Sequence, residues 1–443
     1  MHGICNYQGM NIKSIGLFGF LGLILLGCNG TNFQKILGPS NPYEQYSNFL
    51  NSSEFENAAI VRDWVNAGER AFDSPVEITL PYQEISHFEK NQPKAIYMEF
   101  EAKEGQIISA EVKQISTKDA RFFLDLYEVS NSGRKNIQFA KDTSQLNFQV
   151  KNTGKYGVRI QPELFRGGVV ELLVQQNPSL AFPIGGKNHR SIASFFGDPR
   201  DGGRRRHEGV DVFAPRGTPV IAVSSGRVNR VGNNNLGGKI INMSGGGYSY
   251  YYAHLDTQMV KTGQAVNIGD TLGTVGNTGN AISTPPHLHF GIYRSGRGAV
   301  DPFPFFEERR LSVVTTIGDS INLGKVVRVK VPTANLRSKP GTNAEIIQKL
   351  PNNTVATIQG KTNDWYRVLL PDGRVGYLFE NLLAYELSAF GSLEEKEEFM
   401  IRENFADNNN FEASRLGENL EVIGEFQDSR LLITESGKYY WAF

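Results

Sequence analysis

Apolar and polar positions follow different periods in different parts of the chain. An apolar run from Ile15 to Leu26 follows Lys13 and is too short to span a membrane as a helix. Residues 43–71 then place apolar side chains at the spacing of helices. From residue 76 onward, the apolar positions fall mostly in short alternating runs separated by turn residues. This second pattern predicts β-strands.

The first group of alternating runs predicts a β-sandwich over residues 76–176. Closely spaced strands without helices between them favour two stacked sheets. The predicted strands are Ala95–Ala102, Gln106–Val112, Arg121–Val129, Gln145–Val150, Tyr156–Ile160 and Gly168–Val174. Turn sequences at 100–106 and 153–156 make this region similar to the pre-peptidase domains of secreted bacterial proteases. We identify no candidate chemistry within it.

The remaining chain divides into further segments by pattern and composition. The expected segments are 29–75 (a spacer and a helical segment), 181–303 (a glycine-rich, strand-like region), 304–324 (a linker), 325–386 (a compact β unit) and 387–443 (a helical linker and a strand-like C-terminal segment). The helical linker is predicted from the capping-box spacing that begins at Ser392. We therefore expect a mainly β, multi-domain protein.

Composition narrows the function classes. At about 150 residues per domain, 443 residues correspond to about three domains. The 46 basic residues balance 46 acidic ones, which argues against a nucleic-acid partner. The two cysteines, Cys5 and Cys28, both precede the predicted domains. Neither a disulfide framework nor a thiolate zinc site is therefore expected in the folded body.

The N-terminal segment resembles a bacterial lipoprotein signal. A basic residue, an apolar run, Gly27 and Cys28 occur in the order of a lipobox. The resemblance implies that residues 1–28 are a signal peptide and that Cys28 is lipidated. A lipid anchor would hold the protein at a membrane of the bacterial cell envelope, facing the wall, with inner and outer membrane both open. The alternative is a short buried apolar segment with an incidental cysteine.

Four of the seven histidines lie between residues 207 and 289. Interpreted as strands, His207 and Asp211 share a face with Gly209 leaving room for an ion, and His287 and His289 share another. Two histidines and one carboxylate form the three-ligand set of a catalytic zinc site, and two histidines remain for proton transfer. This set predicts a hydrolase. The alternative is a group of unrelated surface or core histidines.

Residues 190–303 resemble the lysostaphin-type zinc endopeptidases, which cut peptide bonds in bacterial peptidoglycan. The matching motifs include Ser194–Gly197, Gly209–Val212, Ala214–Val220, Tyr252–Leu255, Val275–Gly279, His287–Phe290 and Asp301-Pro302. The resemblance implies that His207, Asp211 and His289 hold Zn²⁺. It implies that His254 and His287 are catalytic, as base and transition-state donor, without saying which is which. A small antiparallel β core with a groove across the metal is also implied.

Three arginines, Arg204, Arg205 and Arg206, directly precede the first implied ligand. They are either a solvated basic loop or a patch that attracts carboxylates of wall peptides.

Residues 325–386 resemble a bacterial SH3-type barrel, a small β-barrel attached to many wall hydrolases and presumed to grip peptidoglycan peptides. The matching segments are Thr333–Gly341, Trp365–Val368 and Asp372–Leu378. Trp365 and Tyr366 are either ligand contacts or core residues. The resemblance implies peptide stems or cross-bridges of peptidoglycan as partners.

Together these patterns predict a zinc-dependent endopeptidase that hydrolyses peptide cross-links of peptidoglycan in cell-wall remodelling. One alternative is a non-catalytic wall-binding lipoprotein that activates another peptidoglycan hydrolase. Another is a structural surface lipoprotein in which the metal only stabilises the middle domain. Hydrolysis by the zinc-loaded protein separates the first interpretation from the other two.

Overall fold

The computed structural model describes residues 41–54, 56–116, 120–141, 144–311, 317–392, 400–405, 411–412 and 419–443. The predicted signal peptide and Cys28 lie outside these ranges, as do spacer residues 29–40. Residues 393–399 of the predicted helical linker lie outside them as well. Among the helices that are described, none has the length and apolar character that a membrane span requires.

Two helices form the first described part of the chain and pack on the region that follows. The α-helices among the described residues are α1 (Pro42–Ser52), α2 (Ala59–Arg70) and α3 (Phe303–Phe306). The Asn41 side chain caps α1 by accepting a hydrogen bond from the backbone N–H of Tyr43 (2.8 Å). The rings of Tyr43, Trp64 and Phe123 then form one buried aromatic cluster. Through this cluster, both helices pack against the sandwich.

Residues 76–178 form two sheets around one core. The strands are β1 (Val76–Glu77), β2 (Tyr82–Phe88), β3 (Ile96–Ala102), β4 (Gln106–Gln114), β5 (Phe122–Ser130), β6 (Gly133–Phe139), β7 (Gln145–Gln149), β8 (Gly154–Pro162) and β9 (Gly168–Pro178). One sheet has the order β1-β3-β8-β5-β6, and the other contains β2-β9-β4-β7. Buried apolar side chains from both sheets share one cluster, as in a sandwich.

Residues 192–300 form the next region, an antiparallel sheet accompanied by a separate two-stranded hairpin. Its strands are β10 (Ile192–Ser194), β11 (Pro199–Arg200), β12 (Arg205–Arg206), β13 (Val210–Phe213), β14 (Pro219–Ile221), β15 (Gly226–Asn234), β16 (Gly238–Gly245), β17 (Tyr248–Gln258), β18 (Ala265–Val266), β19 (Thr271–Val275), β20 (His287–Arg294) and β21 (Gly298–Val300). The main path is β10-β13-β20-β17-β16-β15-β18, and β11 pairs only with β12. The central strands β20 and β17 are therefore held from both sides.

The C-terminal third forms a small barrel and a further sheet. The strands are β22 (Val326–Val329), β23 (Thr333–Arg337), β24 (Ile346–Pro351), β25 (Val355–Thr362), β26 (Trp365–Leu369), β27 (Val375–Phe379), β28 (Leu383–Ala384), β29 (Gly391–Ser392), β30 (Met400–Arg402), β31 (Phe411–Glu412), β32 (Leu420–Phe426), β33 (Ser429–Thr434) and β34 (Tyr439–Ala442). Phe426, Leu431 and Trp441 of the last sheet enter the core of the barrel. The mainly β, multi-domain architecture expected from the sequence is confirmed.

The segment 304–324 is not a linker throughout, and that expectation is wrong for its first residues. Pro304, Phe305 and Phe306 lie in α3 and are buried. The two phenylalanines belong to the core of the 192–300 sheet. The Phe305 ring also fills the space beside Gly105 that a side chain there would need. Helix α3 therefore packs between this sheet and the sandwich.

The sandwich and the barrel share one continuous sheet. Strand β2 pairs antiparallel with β25, with Ile85 opposite Lys361. Arg367 donates two hydrogen bonds to the Glu84 carboxylate across this junction (3.0 Å from Nε to Oε2 and 2.9 Å from Nη2 to Oε1). Both side chains are almost completely buried. A buried salt bridge therefore links the sandwich and the barrel at this junction.

We expect Arg367→Met to lower the free energy of unfolding by about 3–5 kcal/mol, because it leaves the buried Glu84 carboxylate without its positive partner and with the Tyr82 hydroxyl as remaining donor. Urea denaturation followed by circular dichroism measures this loss. Arg374→Met is the matched control, since Arg374 pairs with Asp372 at the surface. The control should cost less than about 1 kcal/mol. Equal losses in the two variants would contradict a structural role for the buried pair.

Candidate metal centre

Three neighbouring strands bring the predicted site residues together. Asp211 on β13 lies directly opposite His289 on β20, and Ala253 on β17 lies opposite His289 from the other side. His287 and His289 are two residues apart, so both project from the same face of β20. This face of the sheet is the floor of the site.

His254 reaches the same face by a local departure from strand geometry. Regular alternation would place it beside Tyr252, whose side chain is buried in the core. Instead, His254 has a φ of 61° and the pairing of β17 shifts register at this point. A bulge of this kind redirects a side chain. As a result, the His254 and His287 rings lie 4.9 Å apart.

Three candidate ligand atoms converge on one point. His207 Nε2 lies 2.9 Å from His289 Nδ1, and each of these nitrogens lies 3.1 Å from Asp211 Oδ1. Tetrahedral zinc with bonds of about 2.0–2.2 Å holds its ligands about 3.3 Å apart. The donor set of two imidazoles and one carboxylate suits the same ion. These residues therefore fit Zn²⁺.

Backbone carbonyls set the tautomers of three histidines. The Nδ1 atoms of His207, His254 and His287 donate to the carbonyl oxygens of residues 195, 278 and 285, at 2.9, 2.8 and 2.9 Å. A carbonyl only accepts, so each Nδ1 carries the proton. The Nε2 atom of each neutral ring is left with a lone pair. For His207 that lone pair faces the other two candidate ligands.

Charge at the site follows from burial and these hydrogen bonds. Burial alone would raise the pKa of Asp211, but hydrogen bonds with His207 and His289 outweigh it and lower the pKa well below its usual range. Burial lowers the pKa of His254 to about 4. The site therefore holds an ionised carboxylate and, at neutral pH, an uncharged His254.

The five predicted residues line one open groove of about 820 Å³. Every residue that lines this groove lies between Ala193 and Tyr293. In the described ranges, no side chain of the sandwich or the barrel enters it. The described part of the N-terminal region therefore does not line the groove.

The strand interpretation of His207 and Gly209 is wrong. His207 precedes β13 in a segment without strand structure. A side chain at Gly209 would lie 2.8 Å from Cε1 of His289. The missing side chain thus makes room for the His289 imidazole, and not for an ion.

Sequence reasoning missed Arg200. Its Nη2 donates to Oδ2 of Asp211 (2.9 Å) and to Oγ of Ser194 (2.5 Å). Oδ2 is the carboxylate oxygen that does not face the two histidines. No spacing pattern links residue 200 to residue 211, because the intervening β11–β12 hairpin sets their approach. Arg200 is therefore a candidate positioning residue for Asp211.

The neighbouring arginines behave differently. Arg204, Arg205 and Arg206 are exposed. Arg205 pairs with Asp201 at 2.6 Å, and both Arg205 and Arg206 lie on the rim of the groove. This is a solvated loop that also places positive charge beside the site.

We expect Arg200→Met to weaken zinc binding about 10- to 100-fold, because Asp211 loses the partner that orients its carboxylate. Competition with a chromophoric zinc chelator measures the affinity. The control is Arg204→Met, since Arg204 is exposed and donates to the backbone carbonyl of Asp201, not to a ligand residue. An unchanged affinity in Arg200→Met would contradict the positioning role.

Comparison with protein families matches two parts of the chain. Residues 205–302 match the model of peptidase family M23, and residues 332–384 match the model of the bacterial SH3 domain. The first match contains all five predicted site residues. The second lies within the barrel.

Curated relatives match parts of the chain. The L-Ala--D-Glu endopeptidase of Bacillus subtilis (strain 168) is 41% identical over 136 residues, 28% of this chain and 42% of the relative. Lysostaphin of Staphylococcus simulans is 35% identical over 164 residues, 34% of this chain and 30% of the relative. The peptidoglycan DD-endopeptidase ShyC of Vibrio cholerae is 37% identical over 105 residues, 22% and 24% of the two chains.

This chain spans less than half the length of each of these relatives. The matches therefore concern individual domains. Residues 205–302 are a peptidase family M23 domain of the lysostaphin type, and residues 332–384 are a bacterial SH3 domain.

Proposed function

We propose that this protein is a zinc-dependent endopeptidase that hydrolyses peptide cross-links of bacterial peptidoglycan. The observation that carries the proposal is the convergence of His207 Nε2, Asp211 Oδ1 and His289 Nδ1 beside His254 and His287 in one open groove. The names of the relatives, among them a peptidoglycan DD-endopeptidase, support the substrate class.

The side chains can perform the proton transfers that peptide hydrolysis needs. His207, Asp211 and His289 would hold zinc, which supplies Lewis acidity toward a peptide carbonyl. His254 and His287 each keep Nδ1 bonded to the backbone and Nε2 available. One ring, while neutral, takes the proton of the attacking water on Nε2 and passes it to the leaving amine. The other ring can donate a hydrogen bond to the oxygen that becomes negative once its Nε2 is also protonated from solvent. Both assignments of these roles agree with the 4.9 Å ring separation.

The groove also has the charge to attract an acidic peptide. Arg205 and Arg206 line its rim and are exposed. Stem peptides of the wall carry carboxylates, so this rim favours their approach.

The proposal also includes a lipid anchor and a location in the cell envelope. Lipidation of Cys28 would place the protein at a membrane of the cell envelope, facing the wall, where it would take part in wall remodelling. The order of basic residue, apolar run and Cys28 supports this part. The complete ligand set favours a catalyst over a non-catalytic activator of another hydrolase.

The test is incubation of the purified, zinc-loaded protein with purified peptidoglycan. New free amines and released fragments are followed, the fragments by mass spectrometry. We expect amines to appear with time and to be absent in a sample treated with chelator, and the fragment masses identify the cleaved bond. A folded, zinc-loaded protein that releases no amines would contradict the proposal and support the activator alternative.

A further inference from the structure

A second candidate binding site lies where the sandwich meets the barrel. A cavity of about 730 Å³ lies between α2, the sandwich and the barrel, and one of about 460 Å³ continues toward the C-terminal sheet. The two cavities share a wall made of His87, Gln92, Lys94, Gln359, Leu369 and Pro371. They are therefore two halves of one crevice, which we call the junction crevice.

Lys94 belongs to that shared wall and has an unusual environment. Its Nζ donates to the side-chain oxygen of Gln359, a neutral partner. Within the described ranges, no carboxylate is at ion-pair distance from it. The neighbouring cations differ in this respect, since Arg367 pairs with Glu84 and Arg374 pairs with Asp372. Lys94 is thus a half-buried ammonium that the more distant charge of Glu89 offsets only in part.

Burial and the nearby charge of Arg367 lower the pKa of Lys94 to about 8. Holding a charged ammonium in such surroundings costs free energy unless an anion pairs with it. A carboxylate placed beside Nζ would favour the charged form again. Glu89 in the smaller cavity opposes this lowering but does not overcome it. Among the described residues, no carboxylate of the crevice forms an ion pair with Lys94.

The rest of the crevice suits a short peptide. Amide side chains of Asn91, Gln92 and Gln359 offer donors and acceptors for peptide groups. Tyr439 and Trp441 provide aromatic surface in the smaller cavity. Cavities of several hundred Å³ accommodate ligands of a few residues.

We propose that the junction crevice binds a short peptide whose free carboxylate pairs with Lys94, at a site distinct from the peptidase groove. The binding site is built jointly by the sandwich and the barrel, and not by the barrel alone. The inference rests on the proposed function only in the choice of a wall-type peptide as probe.

The probe is diacetyl-L-lysyl-D-alanyl-D-alanine, in which the C-terminal carboxylate is the only charge, and its C-terminal amide is the matched probe. Isothermal titration calorimetry measures binding to the full chain. We expect the carboxylate form to bind about 10- to 100-fold more tightly than the amide. Lys94→Met should weaken binding of the carboxylate form by a similar factor. Lys90→Met, an exposed lysine outside the crevice, should leave it unchanged.

Equal binding of the two probes, equal binding to the two variants, or no binding at millimolar peptide would overturn the inference. If Lys94→Met fails to fold, the two probes are compared on a protein that carries Arg205→Met and Arg206→Met, because these exposed arginines on the rim of the peptidase groove also attract carboxylates. Loss of the carboxylate preference in that protein would overturn the inference. The readout involves no hydrolysis. A failed binding experiment is therefore distinguishable from a failed peptidase, which the release of amines from peptidoglycan tests separately.

Discussion

Replacing His289 by alanine should remove zinc from the protein and reduce peptidoglycan hydrolysis by more than about 1,000-fold. His289 lies on the central strand of the site, and its Nδ1 is 2.9 Å from His207 Nε2 and 3.1 Å from Asp211 Oδ1. Without this imidazole only two of the three candidate ligands remain. Lewis-acid stabilisation worth several kcal/mol is then lost, and each 1.4 kcal/mol is about tenfold in rate.

Zinc content after dialysis and the rate of amine release measure the two effects of His289→Ala. The matched control is His189→Ala, because His189 packs on Phe303 and does not line the groove. The control should keep both zinc and activity. A His289→Ala protein that retains stoichiometric zinc would show that the metal is held elsewhere.

Replacing His254 by asparagine should reduce hydrolysis about 10²- to 10⁴-fold while zinc binding is retained. His254 is not among the three converging ligand atoms, and it offers Nε2 to the groove while Nδ1 is bonded to the carbonyl of Thr278. Asparagine is chosen because residue 254 has a positive φ, which asparagine tolerates better than alanine. The expected loss is therefore chemical and not conformational.

Zinc content and the rate of amine release from peptidoglycan, both measured on the same sample, test His254→Asn. His189→Asn serves as control and should change neither. Full activity in His254→Asn would remove this histidine from the mechanism. Loss of zinc together with activity would assign it to the metal site.

Much of the fold was predictable from periodicity. The six strands predicted in the sandwich correspond to β3, β4, β5, β7, β8 and β9. The pattern missed β2 because the polar residues Gln83, Glu84 and Ser86 interrupt the alternation of apolar positions, although all three are buried. Their polar partners come from β9 and the barrel, among them Arg367 and Glu171. A local pattern does not contain partners that lie nearly 300 residues away.

The sequence likewise predicted only part of the candidate site. The motifs around residues 207, 211, 254, 287 and 289 identified side chains that the structure brings into one groove. Strand alternation alone would have turned His254 into the core, since it is the bulge in β17 that redirects it. No sequence pattern identified Arg200, because the β11–β12 hairpin, and not a fixed spacing in the sequence, brings it to Asp211. The burial of α3 was not predictable from a local pattern either, because it depends on a contact with Gly105 of the sandwich.

Anomalous diffraction at the zinc edge, from crystals of the zinc-loaded protein, tests the central claim most directly. That claim is that His207, Asp211 and His289 form a metal centre beside His254 and His287. The account predicts an anomalous peak within about 2.2 Å of His207 Nε2, Asp211 Oδ1 and His289 Nδ1. A fully loaded protein with its zinc bound by other side chains, and no peak at these three atoms, would contradict it.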